Sequence, residues 1–315
     1  MKNFKNLMDL TGFFNTEKKC YAFLKANLHK NGIVCSKCGS SNVFEFKKNY
    51  KRNRCMDCNF DFSLRKGTIF EESRMPLRKW FVCIYLVTSN SKGLSSVQLA
   101  KQVGITQKTA WFVLQRLRHV AEPAAAVRQN GFTSMFQGTC EADTTHIGGK
   151  YENMHKDKKE LKPQKAVVLG IVNRETKQVK SFHIENEGYV AQGEKILDNV
   201  DFGSELITDE SKSYVMLKYY FKHNFINHSK GEYSRKDLSR VAFKITTNSV
   251  EGVFAQMKRG INGIYHWCSK KHLQKYLNEF NFRYNSKELA DNQRFVFFLE
   301  NAQGRLKYGQ LIGMV

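Results

Sequence analysis

The chain has 315 residues, 41% of them hydrophobic, enough for a packed core divided over two modules and a small appendage. No apolar run reaches the ~18 residues of a membrane span, and Lys2, Lys5 and Asp9 interrupt the N-terminal segment, which argues against a secretory leader. Fifty-one Lys and Arg against 29 Asp and Glu leave a net charge of +22, a field that attracts polyanions. Nucleic acid is favoured over a membrane surface, because the cations are spread over several predicted elements instead of lining one amphipathic helix.

Residues 1 to about 30 carry Cys20, Phe23, Leu24 and Leu28 at helical spacing and stop at Asn31-Gly32. From Ile33 to Phe62 the pattern turns to short β-like pieces, 42–46 and 50–54, each beside a C-x2-C turn. Cys35, Cys38, Cys55 and Cys58 form a C-x2-C-x16-C-x2-C set. Four thiolates from two tight turns make a tetrahedral structural Zn2+ site with no open position. The flanking cations, Lys48 and Arg52 among them, form a basic finger suited to phosphate. Cys20, Cys83, Cys140 and Cys268 follow no pairing rule, so the eight cysteines are not a disulfide framework.

Helices are predicted from Leu77 to Thr88, from Ser95 to Val103 and from Gln107 to Val120, with Pro123 as a stop. Residues 94–118 have helix-turn-helix form, in which Ala100 permits close approach, Gly104 makes the turn and Thr106 caps the second helix. That helix would present Gln107, Lys108 and Thr109 to base edges. Residues 1–70 are therefore expected to be a zinc ribbon with an N-terminal helix, residues 71–125 a helix-turn-helix region, and residues 124–134 a connector.

From Met135 the pattern is mixed α/β. It gives a strand at Phe136–Ile147, a hairpin of Ala166–Asn173 with Gln178–Ile184, a helix at Gly193–Val200, a buried strand at Glu205–Thr208, a helix at Ser213–Phe221 and a long helical region, Asn248–Asn285, broken near Asn262-Gly263. Three carboxylates stand out: Asp143 within a strand, Asp209 just after one, and Glu251 at a helix start. Such placement lets distant segments converge on two divalent ions, Mg2+ or Mn2+, although each acid alone is more often solvated or capping. No tyrosine or serine sits where its pKa would fall, so no covalent protein intermediate is expected, and no small-molecule cofactor is implied.

The pieces Glu141-x-Asp143-x-x-x-Ile147-Gly148-Gly149-Lys150, Thr208-Asp209-x-x-x-x-Tyr214, Asn248-x-x-Glu251-x-x-Phe254-x-x-x-Lys258-Arg259-x-x-x-Gly263-x-Tyr265-His266 and His272-Leu273-x-x-Tyr276-x-x-Glu279-Phe280-x-Phe282-Arg283-Tyr284-Asn285 resemble bacterial insertion-sequence DDE transposases related to Merlin transposons. With the zinc ribbon, the similarity spans roughly residues 10 to 290. It implies an RNase H-like mixed sheet with helices over 135–290, followed by a C-terminal tail, 291–315. Asp143 and Asp209 would be the first two metal ligands and Glu251 the third, with Asn248, one turn earlier, as the alternative. Lys258, two turns beyond Glu251 on the same face, would meet the phosphate beside the metals, and Arg259, His266 and Arg283 would be further DNA contacts.

The sequence departs from the resemblance in two places: Thr144 and His146 replace an acidic residue and an aromatic after the first aspartate, and Glu210 replaces a glycine after the second. The implied function is a transposase that binds terminal inverted repeats and carries out Mg-dependent cleavage and strand transfer, working as a homodimer or larger assembly on double-stranded DNA in the bacterial cytoplasm, at the nucleoid. Two rivals are a DNA-binding regulator whose α/β domain only assembles, and a structure-specific nuclease.

Overall fold

The computed structural model describes residues 4–126, 135–148, 165–237, 240 and 243–312. Most of the expected connector, and the Gly149-Lys150 end of the first transposase-like block, lie outside them. The chain divides into two compact units, Met1–Ala124 with Ser286–Val315, and Ala125–Asn285, so the second is inserted into the first.

In the first unit, α1 (Leu7–Phe13) and α2 (Glu17–Leu28) start at side-chain caps, Asn6 accepting from the Asp9 amide and Thr16 from the Lys19 amide. Three short strands, β1 (Val43–Glu45), β2 (Asn53–Cys55) and β3 (Asp61–Phe62), pair antiparallel in that order. Next comes α3 (Leu77–Ser89), whose N-cap, Pro76, offers no capping side chain. The Glu17 carboxylate from α2 substitutes, accepting from the amides of Leu77 at 2.8 Å and Arg78 at 3.3 Å. Phe81 of α3 packs edge-on against Phe14 and Phe295, with ring centroids 4.8 and 5.5 Å apart.

Phe295 lies on a helix, Asp291–Glu300, that buries Phe295, Val296, Phe298 and Leu299. The expected tail is thus a packed part of the first unit, and the spacing of those apolar residues is the signal. The capping expected at 94–118 is found: α4 (Ser96–Val103) ends at Gly104, whose φ of 64° is left-handed, and Thr106 accepts from the Thr109 amide at 3.2 Å to start α5 (Gln107–Ala126). Helix α5 runs through Pro123, the expected stop. The proline falls in the last turn, where its missing N–H removes one hydrogen bond without breaking the helix behind it.

The second unit is built on a five-stranded sheet in the order β6-β5-β4-β7-β8, with β4 (Thr139–Ile147), β5 (Ala166–Asn173), β6 (Val179–Ile184), β7 (Glu205–Asp209) and β8 (Lys222–Ile226). β4, β5 and β6 are antiparallel, whereas β4, β7 and β8 run parallel. The expected α/β class with a mixed sheet is what is found. Every residue of β5 is buried, and its alternation feeds two cores. Val167, Leu169 and Ile171 pack with Ile196 of α6 (Tyr189–Leu197) and with Tyr214 and Leu217 of a 3-10 turn, Lys212–Tyr219. Val168 and Val172 pack with Val250, Phe254 and Met257 of α7 (Asn248–Gly260) and with Leu273 and Leu277 of α8 (Lys270–Asn285).

The break expected near Asn262-Gly263 is a π-helical turn, Ile261–Tyr265, between α7 and α8. Strand β8 was not expected, because its sequence, KHNFI, is mostly polar and only Ile226 is buried, as an edge strand's can be. One glycine sets how closely α7 lies on the sheet. A Cβ on Gly170 would stand 2.7 Å from the Phe254 ring and 3.0 Å from Val250, so only glycine admits the helix at this depth. Gly170 pairs with Asp143 across β4 and β5.

Candidate active site

The register of β4 on β7 aligns Thr139 with Glu205 and Glu141 with Ile207; two residues farther along each strand stand Asp143 and Asp209. A period of two puts Glu141 and Asp143 on one face of β4, while Cys140 and Ala142 enter the core on the other. Glu141 is fully buried and fixes the helix that carries the third acid. Its carboxylate accepts from the backbone amides of Ser249 at 2.8 Å and Val250 at 3.0 Å, and from Ser249 Oγ at 2.8 Å. A buried carboxylate on the first-turn amides of α7 is also favoured by the helix dipole. Arg174 pairs with Glu141 at 2.6 Å and donates to the carbonyls of Lys244 and Thr246 at 2.7 Å each, tying down the approach to α7.

Glu251 thereby sits in the first turn of α7, where its charge is felt at Asp143. Asp143 is half-buried, and its pKa is pushed up to about 7, first by burial and then by the charges of Asp209 and Glu251; the Thr144 amide, at 2.7 Å, and His228 oppose the rise. Asp209 is also raised, by burial first and by Glu210 and Glu187, against the Ser211 amide and His228. Asp143 feels the charges of both Asp209 and Glu251, but the three acids do not form a closed ligand shell. Among the described residues, the one set of three or more His, Cys, Asp or Glu whose ligand atoms all lie within 4.8 Å of one another is the cysteine set. Like charges beside a half-buried carboxylate are costly unless a cation joins them, and Asp143, Asp209 and Glu251 are the carboxylates that could hold a hard divalent cation here.

The two departures after the first aspartate have a local explanation. Thr144 Oγ1 donates to Glu187 at 3.0 Å, and His146 Nε2 lies 3.7 Å from the same carboxylate, so an acid from the loop before α6 stands beside this stretch of β4. Sequence reasoning missed Glu187, His228 and the capping role of Glu141. Of these, only Glu141 had a signal, since E-x-D spacing in a strand puts both acids on one face.

Asn248 and Glu251 are exposed at the start of α7, and Lys258 and Arg259 are exposed toward its end. His266 is exposed, with a φ of 59° and Nδ1 at 3.1 Å from the Asn262 carbonyl. Arg283 needs correction as a DNA contact: it is buried and paired with Glu279, which also accepts from Tyr265 Oη at 2.8 Å. A cation on the inner face of α8 serves the core and cannot reach a phosphate.

In the first unit, Lys48 and Lys108 are exposed, but Gln107 donates to Ser96 at 2.9 Å, and Thr109 is bonded to Thr106 at 2.8 Å. Arg52 forms an ion pair with Asp61, and Arg54 donates to the same carboxylate at 2.8 Å.

The cysteines fit zinc closely. Cys35 and Cys58 Sγ are 3.6 Å apart, and Cys38 and Cys55 Sγ are 3.5 Å apart. A tetrahedron with Zn–S bonds of ~2.3 Å has edges of ~3.8 Å, so the four thiols already stand near ligand spacing. Against the cost of burial, the four thiols share protons through their mutual hydrogen bonds, which with the amides of Cys38 and Lys37 bring the Cys35 pKa down to about 6, while, against the Ser40 amide, the bonds from Cys58 and Cys55 push Cys38 up to about 12; zinc takes all four as thiolates.

The match to known families agrees with this geometry. Residues 135–285 match the ISXO2-like transposase domain, and residues 15–60 match the transposase zinc-ribbon domain. Over 105 residues the chain is also 30% identical to an uncharacterized protein in transposable element ISH50 of Halobacterium salinarum, a match covering 33% of this chain and 35% of that protein. The transposase domain thus contains all three acids, and the zinc ribbon contains all four cysteines. Glu141→Ala in this domain should lower stability by about 3–5 kcal/mol, because it strands Arg174 and uncaps α7; a urea midpoint unchanged from the parent would refute the anchoring role.

Proposed function

We propose that the protein is the transposase of an insertion sequence, binding the inverted repeats at the element's ends, cutting there with Mg2+ or Mn2+, and joining the freed 3′ hydroxyls to target DNA. The observation that carries this is the pair Asp143 and Asp209 on neighbouring parallel strands, with the Glu251 charge near enough to raise the Asp143 pKa. Two ions held by these carboxylates would activate the attacking oxygen on one side of a phosphodiester and stabilise the departing oxygen on the other.

The chain's own residues divide the remaining work. Asp143, Asp209 and Glu251 hold the ions, with Asn248 as the alternative to Glu251. Lys258, two turns along α7, offsets phosphate charge. Lys48, Lys108, Arg259 and His266, all exposed, are available to the DNA backbone. Tyr214 is the tyrosine in the field of Asp209 and Asp143, but burial and those charges push its pKa well up, the reverse of an activated nucleophile. Both ends must be cut and joined together, so at least two copies act on one DNA. Among the described residues no helix is long and apolar enough to cross a membrane.

A strand-transfer assay tests this reading. A labelled, pre-cut element end should join a second duplex when Mg2+ is present. Cleavage without joining would leave a nuclease, and end binding that ignores Asp143→Asn, without cleavage, would leave a regulator. Binding should also weaken with salt, by roughly 0.9 decade per decade of salt for each phosphate contacted; a flat response would remove the electrostatic part of the argument.

A further inference from the structure

Trp267 leaves its side chain 71% exposed, whereas Trp80 is wholly buried. One exposed ring needs no explanation by itself; the backbone that carries this one does. His266, just before it, has φ 59° and ψ −37°, and the Trp267 amide donates to the Tyr265 carbonyl at 2.7 Å. This is a γ-turn of the positive-φ kind, which is rare and strained for any residue but glycine. It follows directly on the π-helical turn Ile261–Tyr265. Such strain persists only where the surroundings enforce it. Tyr265 does so here: its hydroxyl donates to Glu279 at 2.8 Å, and its ring packs edge-on against Tyr276 with centroids 4.8 Å apart. Glu279 is in turn paired with Arg283, so that buried cation helps to hold the turn.

The charge around the turn has one sign. No Asp or Glu occurs between Glu251 and Glu279, while Lys258, Arg259, Lys270 and Lys271 are all exposed. Lys270 and Lys271 stand in the first turn of α8, where the helix dipole disfavours positive charge and no acid offsets it. An anion held beside them relieves both. Cations beside a bare aromatic ring suit nucleic acid whose strand is open: the cations follow the phosphates and the ring stacks on a base. A closed duplex hides its base faces along its length, so the ring calls for a base without its partner.

We propose that Trp267 is a stacking platform for an unpaired DNA base, presented by the strained turn at His266, with Lys270 and Lys271 on the adjoining phosphates. The strain fixes where the indole stands before DNA arrives, so less ordering is left to be done on binding. The assignment rests on the reading of the chain as a DNA-processing enzyme.

Tryptophan emission of the zinc-loaded full chain, titrated at low salt with a single strand of about twenty thymidylates and with a mixed-sequence duplex of the same length, reads the contact. The single strand should quench the parent's emission, and Trp267→Phe should lose that quenching while still binding within a few-fold. Trp80 and Trp111 are common to both proteins, so the difference reports Trp267 alone. Trp267→Ala should weaken single-strand binding about tenfold or more and duplex binding less than about twofold. Quenching that survives Trp267→Phe, no loss with Trp267→Ala, or equal losses on both DNAs would overturn the stacking assignment and leave the enzyme reading in place. If the parent binds neither DNA, the DNA reading itself falls and takes this proposal with it. Trp267→Phe decides even where the alanine variant folds poorly.

Discussion

Asp143→Asn should lower the rates of end cleavage and joining by about a thousandfold or more while element-end binding stays within a few-fold of the parent. The size follows from the several kcal/mol that bound metal contributes to a phosphoryl transition state, at about 1.4 kcal/mol per decade of rate. Asparagine keeps the shape and can still accept from the Thr144 amide, now made at 2.7 Å. It removes one of several like charges, so thermal unfolding without divalent ions should be unchanged or shifted upward. Gel-shift, cleavage and melting measurements on one preparation separate the outcomes. Lost binding together with a lower melting temperature would make Asp143 structural and sink the catalytic reading.

The second large effect concerns the ribbon. Chelating zinc, or replacing Cys35 and Cys38 with serine, should open residues 30–65 to protease while a fragment covering 135–285 stays protected. Strands of three, three and two residues cannot form a stable sheet on their own. Structural zinc contributes about 10–16 kcal/mol in small fingers, far more than such a sheet can supply. Cleavage at the parent's rate would show that packing on α2, not the metal, holds the ribbon.

Sequence alone revealed the features that rest on covalent spacing or local periodicity. The cysteine set is defined by two C-x2-C turns, and the buried strand β5 by an unbroken apolar run, AVVLGIVN. The turn at Gly104 and the cap at Thr106 are local chemistry and were legible for that reason. Long-range partners were not. Nothing in HSK marks a histidine that the carboxylate of Glu210, 18 residues earlier, holds among three acids. Arg283 looks like a surface cation until Glu279, one turn earlier, is seen to face inward with it. Strand β8 escaped because an edge strand with polar residues has no alternation to read.

Inserting one unit within the other has a consequence for biosynthesis. The first unit, which carries the ribbon, draws Phe295 and its neighbours from beyond Asn285, so a ribosome must finish the entire inserted unit before the first gains its last aromatic layer. A message truncated just after residue 285 would yield Asp143, Asp209, Glu251 and every cysteine, yet leave the N-terminal unit with a gap where Phe295 belongs. Translation to the far side of the domain thus acts as a completeness check on the unit that comes first.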